Sequence, residues 1–169
     1  MLKAVFKIGM GAACGGLLAL SALAQSATPT TEQMIEQLRP AAPEPRTRSM
    51  RNLVVKAAPS LSLLIQFDFD SARVKPESQQ ALANLGQALQ SRDLQASRFA
   101  VEGHTDAKGR PDYNQRLSQQ RADAVRDFLV QQGVQSARLS SSGKGSSELA
   151  NSDDPLAAEN RRVRIVNLD

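Results

Sequence analysis

Residues 99–133, FAVEGHTDAKGRPDYNQRLSQQRADAVRDFLVQQG, contain a short strand, a polar turn and a long amphipathic helix in succession. Phe99 and Val101 alternate with other residues up to Gly103, which predicts a strand with one buried face. From Asn114 to Gln132, apolar residues recur at three- and four-residue spacing, and Gly133 suits the position after a helix end. We therefore predict a helix that packs against a sheet. Its expected core residues are Leu117, Val125, Phe128 and Leu129.

The sequence on either side of this unit supplies the rest of an α/β domain. Alternating apolar residues from Leu61 to Phe67 predict a first strand. Pro76 is expected to open a helix, because a proline ring fits the first helical turn. Residues 139–142 and 163–166 are predicted to form two further strands. The order strand, helix, strand, helix, strand, strand indicates two helices that cover one sheet.

Length and charge limit the classes of protein to which this chain can belong. With 169 residues, of which 41% are hydrophobic, it can form one ordinary domain. The net charge of +4 arises before residue 57, because residues 57–169 contain 14 basic and 14 acidic residues. A nucleic-acid-binding domain with a continuous basic face is therefore disfavoured.

The first 24 residues are predicted to be a signal peptide. Two lysines precede an apolar run from Ile8 to Leu20, and residues 22–24 are the small-residue pattern that a signal peptidase recognises. An uncleaved membrane anchor is the alternative, but the run is short and contains four glycines. Cys14 is a poor site for lipid attachment, since an apolar stretch follows it. Cleavage after Ala24 would leave no cysteine, as expected for a bacterial envelope protein stabilised by its core alone.

Residues 25–60 are predicted to be a short helix followed by a proline-rich, basic linker. Thr30 and Gln33 have capping-box spacing, and the apolar residues up to Leu38 line one side of the helix. The prolines and basic residues that follow oppose regular structure. Two interpretations of residues 25–56 stay open. They form a plain spacer, or they contact another envelope protein or the anionic surface of the outer membrane.

Four motifs, in the right order, resemble the OmpA-like C-terminal domain, which also occurs in peptidoglycan-associated lipoproteins and flagellar stator proteins. They are FDFD at 67–70, GHTD at 103–106, the helix residues YN, LS, RA and V within 113–125, and NRRV at 160–163. The resemblance implies an α/β fold for residues 61–169. This fold is an OmpA-like α+β sandwich of order β-α-β-α-β-β, in which two helices pack on one mixed sheet.

The resemblance also implies non-covalent binding of peptidoglycan through the meso-diaminopimelate of its stem peptide. The free end of that residue carries an ammonium and a carboxylate on one carbon, so its recognition needs an anion beside a cation. In the family an Asp and an Arg do this, and here they are Asp106 and Arg121. A carboxylate accepts hydrogen bonds from the ammonium, and a guanidinium binds the carboxylate through two parallel hydrogen bonds. The predicted ligand-binding residues are Asp106, Arg121, Asn114, Asp70, Thr105, Arg161 and Arg162.

Several of these residues also fit structural roles. Asp106 and Arg121 are equally suited to a simple ion pair, and Asn114 to a helix N-cap. Asp70 fits a turn cap as well as a pocket border. Arg161 and Arg162 precede a strand, so one is expected to face the site and the other to face away.

The predicted location is the periplasm of a Gram-negative bacterium, in association with the cell wall and the outer membrane. There the protein would anchor or position an envelope component. A peptidoglycan hydrolase is the alternative function. It is disfavoured because His104 is the single histidine and no cysteine survives export, which leaves zinc sites and nucleophile triads incomplete. We predict a binding protein and no enzyme, with no cofactor and no metal. Leu149 stands where the family usually has a proline, so the loop before the last strand is expected to differ.

Overall fold

The computed structural model describes residues 28–40 and 57–169. The predicted signal peptide and the basic residues 41–56 lie outside these ranges. No helix within them is long and apolar enough to cross a membrane.

Three α-helices and four strands make up the described chain. They are α1 (Thr31–Leu38), β1 (Ser60–Leu63), α2 (Pro76–Gln90), β2 (Phe99–His104), α3 (Pro111–Gln131), β3 (Leu139–Gly145) and β4 (Val163–Asn167). The predicted order from the first strand onward is confirmed.

Three predicted boundaries are wrong by three residues or more, and one of them is the end of β3, which lies at Gly145 and not at Ser142. Helix α3 begins at Pro111, three residues before the predicted start, because proline needs no backbone partner in the first helical turn. Strand β1 ends at Leu63. The chain then bends, and Phe67 forms an isolated bridge with Val74.

The four strands form one mixed sheet in the order β1-β4-β2-β3. Strands β2 and β3 run parallel, and α3 supplies the crossover that parallel neighbours require. Strand β4 pairs antiparallel with both β1 and β2, so that Gly103 lies opposite Val163. The end of β2 and the beginning of β4 therefore meet at the same edge of the sheet.

Helix α3 rests directly on the backbone of β2 and β3. A Cβ atom at Gly103 would overlap the carbonyl oxygen of Ser118, and one at Gly143 would lie 2.6 Å from the Ser118 hydroxyl oxygen. This close approach explains an error in the predicted core. Small and polar side chains face the sheet in the first half of α3, and Leu117 is only half-buried. In the second half, Val125 and Leu129 are fully buried as predicted, whereas Phe128 packs at the margin of the core.

Helix α1 is part of the domain and does not belong to a free arm. The predicted capping box between Thr30 and Gln33 is present. Met34 and Leu38 are fully buried in the main core, and the Asn167 side chain donates a hydrogen bond to the Leu38 carbonyl oxygen at 2.8 Å. The apolar side of α1 is therefore covered by its own chain. This side is therefore not available to another envelope protein, and the folded unit extends beyond residues 61–169.

The basic segment does not separate α1 from the rest of the domain. Pro40 and Ala57 line the same surface depression, beside Asn167. The two described residues that flank this segment thus lie at neighbouring points of the domain surface. Residues 41–56 therefore connect two parts of one folded unit.

Loss of the α1 cap is expected to destabilise the whole domain. In Thr30→Ala the amide of Gln33 loses its side-chain acceptor, which typically costs about 1 kcal/mol. Because α1 shares the main core, this cost should lower the free energy of global unfolding, measured by urea denaturation. An unchanged transition would mean that α1 opens independently of the sheet.

Candidate functional site

A cleft of about 510 Å³ opens where the polar turn after β2 meets the segment before β4. Cavities of this size hold small-molecule ligands. Four parts of the chain supply its walls: residues 67–70, residues 105–108, the first three turns of α3, and Arg161. Six of the seven predicted ligand-binding residues line it, and Arg162 does not.

Asp106 lies partly buried at the base of this cleft, with 14% of its side chain exposed. Its Oδ1 accepts a hydrogen bond from the Lys108 amide at 3.2 Å, and its Oδ2 pairs with Nη1 of Arg161 at 2.8 Å. Each carboxylate oxygen of Asp106 is therefore already engaged by one donor of the protein. The ion pair is made with Arg161 and not with Arg121, which corrects the structural alternative considered for these residues.

Arg121 reaches the cleft from α3 and is held by two contacts. Its guanidinium lies 4.8 Å from the centre of the Phe67 ring, and its Nε donates to the Ser71 carbonyl oxygen at 3.2 Å. Within the described ranges, its two Nη groups donate no hydrogen bond to the protein. Burial lowers the pKa of Arg121, as does the neighbouring Arg161, while Tyr113, Asp106 and Asp70 oppose the shift. An arginine stays charged at any physiological pH, so these Nη groups are suited to an anion.

Asn114 positions the turn that carries Asp106. Its side chain is nearly fully buried and donates hydrogen bonds to the carbonyl oxygens of Asp106 and Lys108, at 3.3 and 3.1 Å. The N-cap of α3 is Arg110. The N-cap role predicted for Asn114 is therefore wrong.

Asp70 and Tyr113 form one side of the cleft. Asp70 has a φ of 51°, in the left-handed region that aspartate tolerates better than most residues. The Tyr113 hydroxyl donates a hydrogen bond to its carboxylate, and this bond raises the pKa of Tyr113. Sequence reasoning missed Tyr113 and Phe67 as site residues. Both belong to the quoted motifs, and their position within those motifs was the available signal.

The remaining predicted residues take different positions. Thr105 is buried, and its amide donates to the Gly145 carbonyl oxygen at 2.9 Å. Arg161 lines the cleft, whereas Arg162 points away and donates to the Glu148 carbonyl oxygen at 3.2 Å.

Asn160, the first residue of the NRRV motif, organises the loop before β4, which contains Leu149 at the position where a proline was expected. Its buried side chain accepts from the Asn151 amide at 2.9 Å and donates to the Asp154 carbonyl oxygen at 3.0 Å. The carbonyl oxygen of Pro155 in turn accepts from the Ala107 amide at 3.0 Å. This loop therefore supports the turn beside Asp106.

His104 lies outside the cleft lining. It is buried, and its Nδ1 lies 3.1 Å from the Glu148 carbonyl oxygen. A carbonyl can only accept, so we assign the proton to Nδ1. Burial lowers the pKa of His104, and the charge of Arg162 lowers it further. The side chain is therefore neutral at pH 7 and serves to hold the loop at Glu148.

Stability should depend on pH through His104. Its folded pKa is below the unfolded value of 6.5, so the unfolded chain takes up a proton first as the pH falls. The free energy of unfolding should be constant above about pH 7.5, decline as the pH drops through 6.5, and level off below the folded pKa. His104→Asn keeps a donor near Glu148 and removes the titration, so its urea stability should stay flat between pH 7.5 and 5. An equally steep decline in this variant would assign the dependence to other groups.

In the described part of the chain, no group of three or more His, Cys, Asp or Glu side chains is arranged to hold a metal ion.

Comparison with known sequences finds one family model and several relatives that match the C-terminal part of this chain. The OmpA family model matches residues 66–163. The chain is 40% identical over 103 residues to the peptidoglycan-associated lipoprotein of Pseudomonas aeruginosa, a match that covers 59% of this chain and 58% of the relative. It is 42% identical over 83 residues to outer membrane protein A of Shimwellia blattae, covering 49% of this chain and 34% of the relative. The match therefore spans less than two thirds of either relative.

Comparison with solved structures confirms the predicted fold. The peptidoglycan-associated lipoprotein from Burkholderia pseudomallei is 33% identical with a TM-score of 0.53, over 63% of this chain and 88% of that one. The periplasmic domain of Helicobacter pylori MotB shares the fold, with a TM-score of 0.55 and 24% identity over 66% of this chain and 76% of that one. Both support the α/β arrangement of helices on a four-stranded mixed sheet.

Proposed function

The chain belongs to the OmpA family, a family of non-enzymatic peptidoglycan-binding proteins, and we propose that it binds peptidoglycan through the meso-diaminopimelate of the stem peptide. The similarity to a relative named peptidoglycan-associated lipoprotein supports peptidoglycan as the polymer that is bound. The main support for meso-diaminopimelate as the group recognised is that Asp106 and Arg121 line the same cleft. The site would act in the periplasm of a Gram-negative bacterium, where it anchors or positions an envelope component on the cell wall.

The charges of the cleft suit a zwitterion. Asp68, Asp70 and Asp106 supply three carboxylates, and Lys108, Arg121 and Arg161 supply three cationic groups. The net charge of these six groups is zero, while charges of both signs lie close together. A ligand with only one kind of charge would leave part of this set unmatched, whereas the free end of meso-diaminopimelate offers both.

In this proposal Arg121 binds the ligand carboxylate. Its contacts with Phe67 and Ser71 fix the guanidinium before a ligand arrives. A side chain that is already ordered loses less entropy on binding. The Nη groups then supply two parallel hydrogen bonds to the carboxylate.

Asp106 binds the ammonium group. Each charge-assisted hydrogen bond contributes about 1.5–3 kcal/mol. A few such bonds, less the cost of association, are sufficient for affinity in the micromolar range.

The basic residues of segment 41–56 are proposed to contact the outer-membrane surface or another envelope protein. The segment contains Arg46, Arg48, Arg51 and Lys56 against the single acidic residue Glu44. Four basic residues are near the lower limit for attraction to anionic head groups, so this contact would add to wall binding and not replace it.

Co-sedimentation with purified sacculi tests the proposed function. We expect the protein to pellet with sacculi that contain diaminopimelate, to release no soluble muropeptides, and to return to the supernatant when free meso-diaminopimelate is added. Sacculi with lysine at the same position lack the second carboxylate and serve as the control. Equal pelleting with both kinds of sacculi would contradict recognition of this residue.

A further inference from the structure

Two arginines reach the cleft, and they are held differently. Arg121 comes from a helix and is fixed by an aromatic ring and a carbonyl oxygen. Arg161 comes from the turn before β4, and about half of its side chain is exposed. Within the described ranges, its guanidinium makes one hydrogen bond to the protein, from Nη1 to Oδ2 of Asp106. Arg161 is therefore much freer to move than Arg121.

The hydrogen bond of Arg161 occupies the position that a ligand ammonium would need. Oδ1 of Asp106 is already directed at the Lys108 amide, so Oδ2 is the oxygen better placed to meet a cation in the cleft. Arg161 Nη1 lies 2.8 Å from Oδ2, which is an ordinary distance for a charge-assisted hydrogen bond. An ammonium group at this distance would take the same place.

We propose that Arg161 is an internal counter-ion of Asp106 that the ammonium group of a ligand must displace. This inference rests on the proposed function and adds a specificity-determining residue to it. Arg161 lowers the affinity for ligands that carry an ammonium group. For ligands that carry only carboxylates it has the opposite effect, because nothing displaces it and it adds a second cation beside Arg121.

The exchange is inexpensive because the ion pair is exposed on its arginine side. Exposed pairs of this kind change an equilibrium constant by about two- to fivefold. Removal of Arg161 should therefore change affinity by a factor of this size and leave the fold intact.

The test compares Arg161→Gln with the wild type by calorimetric titration against two ligands. One is meso-diaminopimelate, and the other is pimelate, which has the same carbon chain and both carboxylates but no ammonium. We expect the variant to bind meso-diaminopimelate about two- to fivefold more tightly and pimelate more weakly. Arg98→Gln is the matched control, since Arg98 is also an exposed arginine paired with one aspartate, Asp169 at 2.9 Å, before β2 and away from the cleft. It should change neither affinity.

The expected changes in affinity have opposite signs for the two ligands, and this separates the possible outcomes. Weaker binding of both ligands would show that Arg161 contacts the ligand directly, and unchanged binding would show that it does not compete; either result overturns the inference and leaves the proposed function standing. If the wild-type protein binds neither meso-diaminopimelate nor sacculi, the proposed function and this inference both fail.

Discussion

Replacement of Asp106 by asparagine is expected to release the protein from sacculi. The substitution keeps the size of the side chain and an acceptor for the Lys108 amide, but it removes the charge that binds the ammonium group. Loss of one charge-assisted interaction of about 1.5–3 kcal/mol corresponds to a roughly 10- to 150-fold weaker affinity. Arg121→Gln should have an effect of similar size on the carboxylate side. Both are measured by co-sedimentation and by titration with meso-diaminopimelate.

The matched control for Asp106→Asn is Asp169→Asn. Asp169 also pairs with an arginine, Arg98, but at the C-terminal end of the chain and outside the cleft. The Asp169→Asn variant should bind sacculi and meso-diaminopimelate as well as the wild type does. Both cleft variants should keep the wild-type unfolding transition within about 1 kcal/mol, because the Asp106–Arg161 pair is exposed on its arginine side and Arg121 pairs with no carboxylate among the described residues. Normal affinity in folded Asp106→Asn would exclude this carboxylate as the ammonium site.

Gly103→Ala is expected to damage the fold and the site together. The added methyl group would overlap the Ser118 carbonyl oxygen and lie 3.0 Å from its carbonyl carbon, both in the backbone of α3. Backbone atoms cannot rotate away as a side chain can, so α3 must move off the sheet. Overpacking typically costs 1–3 kcal/mol, and we expect about 3 kcal/mol or more here. The same movement shifts Arg121 on α3 relative to Asp106 after β2, so the folded fraction should also bind sacculi more weakly.

Gly86→Ala is the control for this prediction. A Cβ at Gly86 would lie 3.2 Å from the Cβ of Gln132, a contact with a side chain. Alanine also favours a helix over glycine by about 1 kcal/mol, which offsets the crowding. Urea denaturation should therefore show a small change for Gly86→Ala and a large loss for Gly103→Ala. Similar stabilities for the two variants would contradict direct packing of α3 on β2.

The sequence was sufficient to predict the elements of the sheet and their order, because local signals mark them. Strand alternation, the proline that opens α2 and the glycine after α3 all act within a few residues of the element they define. The start of α3 is an exception. Pro111 carries the same signal as Pro76, but the apolar stripe begins only after the polar first turn and places the helix start three residues too late.

Features that depend on distant parts of the chain could not be read from local patterns. The pairing of Asp106 with Arg161 requires the register of β4 against β2, which brings together residues 55 positions apart. The burial of α1 requires Asn167 and the core beneath it. Leu117 follows the helical period of a core residue, yet the glycines of β2 and β3 bring the backbones so close that smaller side chains take the buried face.

Amide and guanidinium NMR during titration with meso-diaminopimelate tests most directly whether one cleft holds both charges of the ligand. We expect saturable shifts at the amides of residues 105–108 and at the side-chain Nε–H of Arg121. Pimelate lacks the two ammonium groups of meso-diaminopimelate, and cadaverine lacks its two carboxylates; both should cause much smaller shifts at equal concentration. Shifts confined to the opposite face of the sheet, around Arg162 and Glu148, or equal responses to all three compounds, would contradict the proposed site.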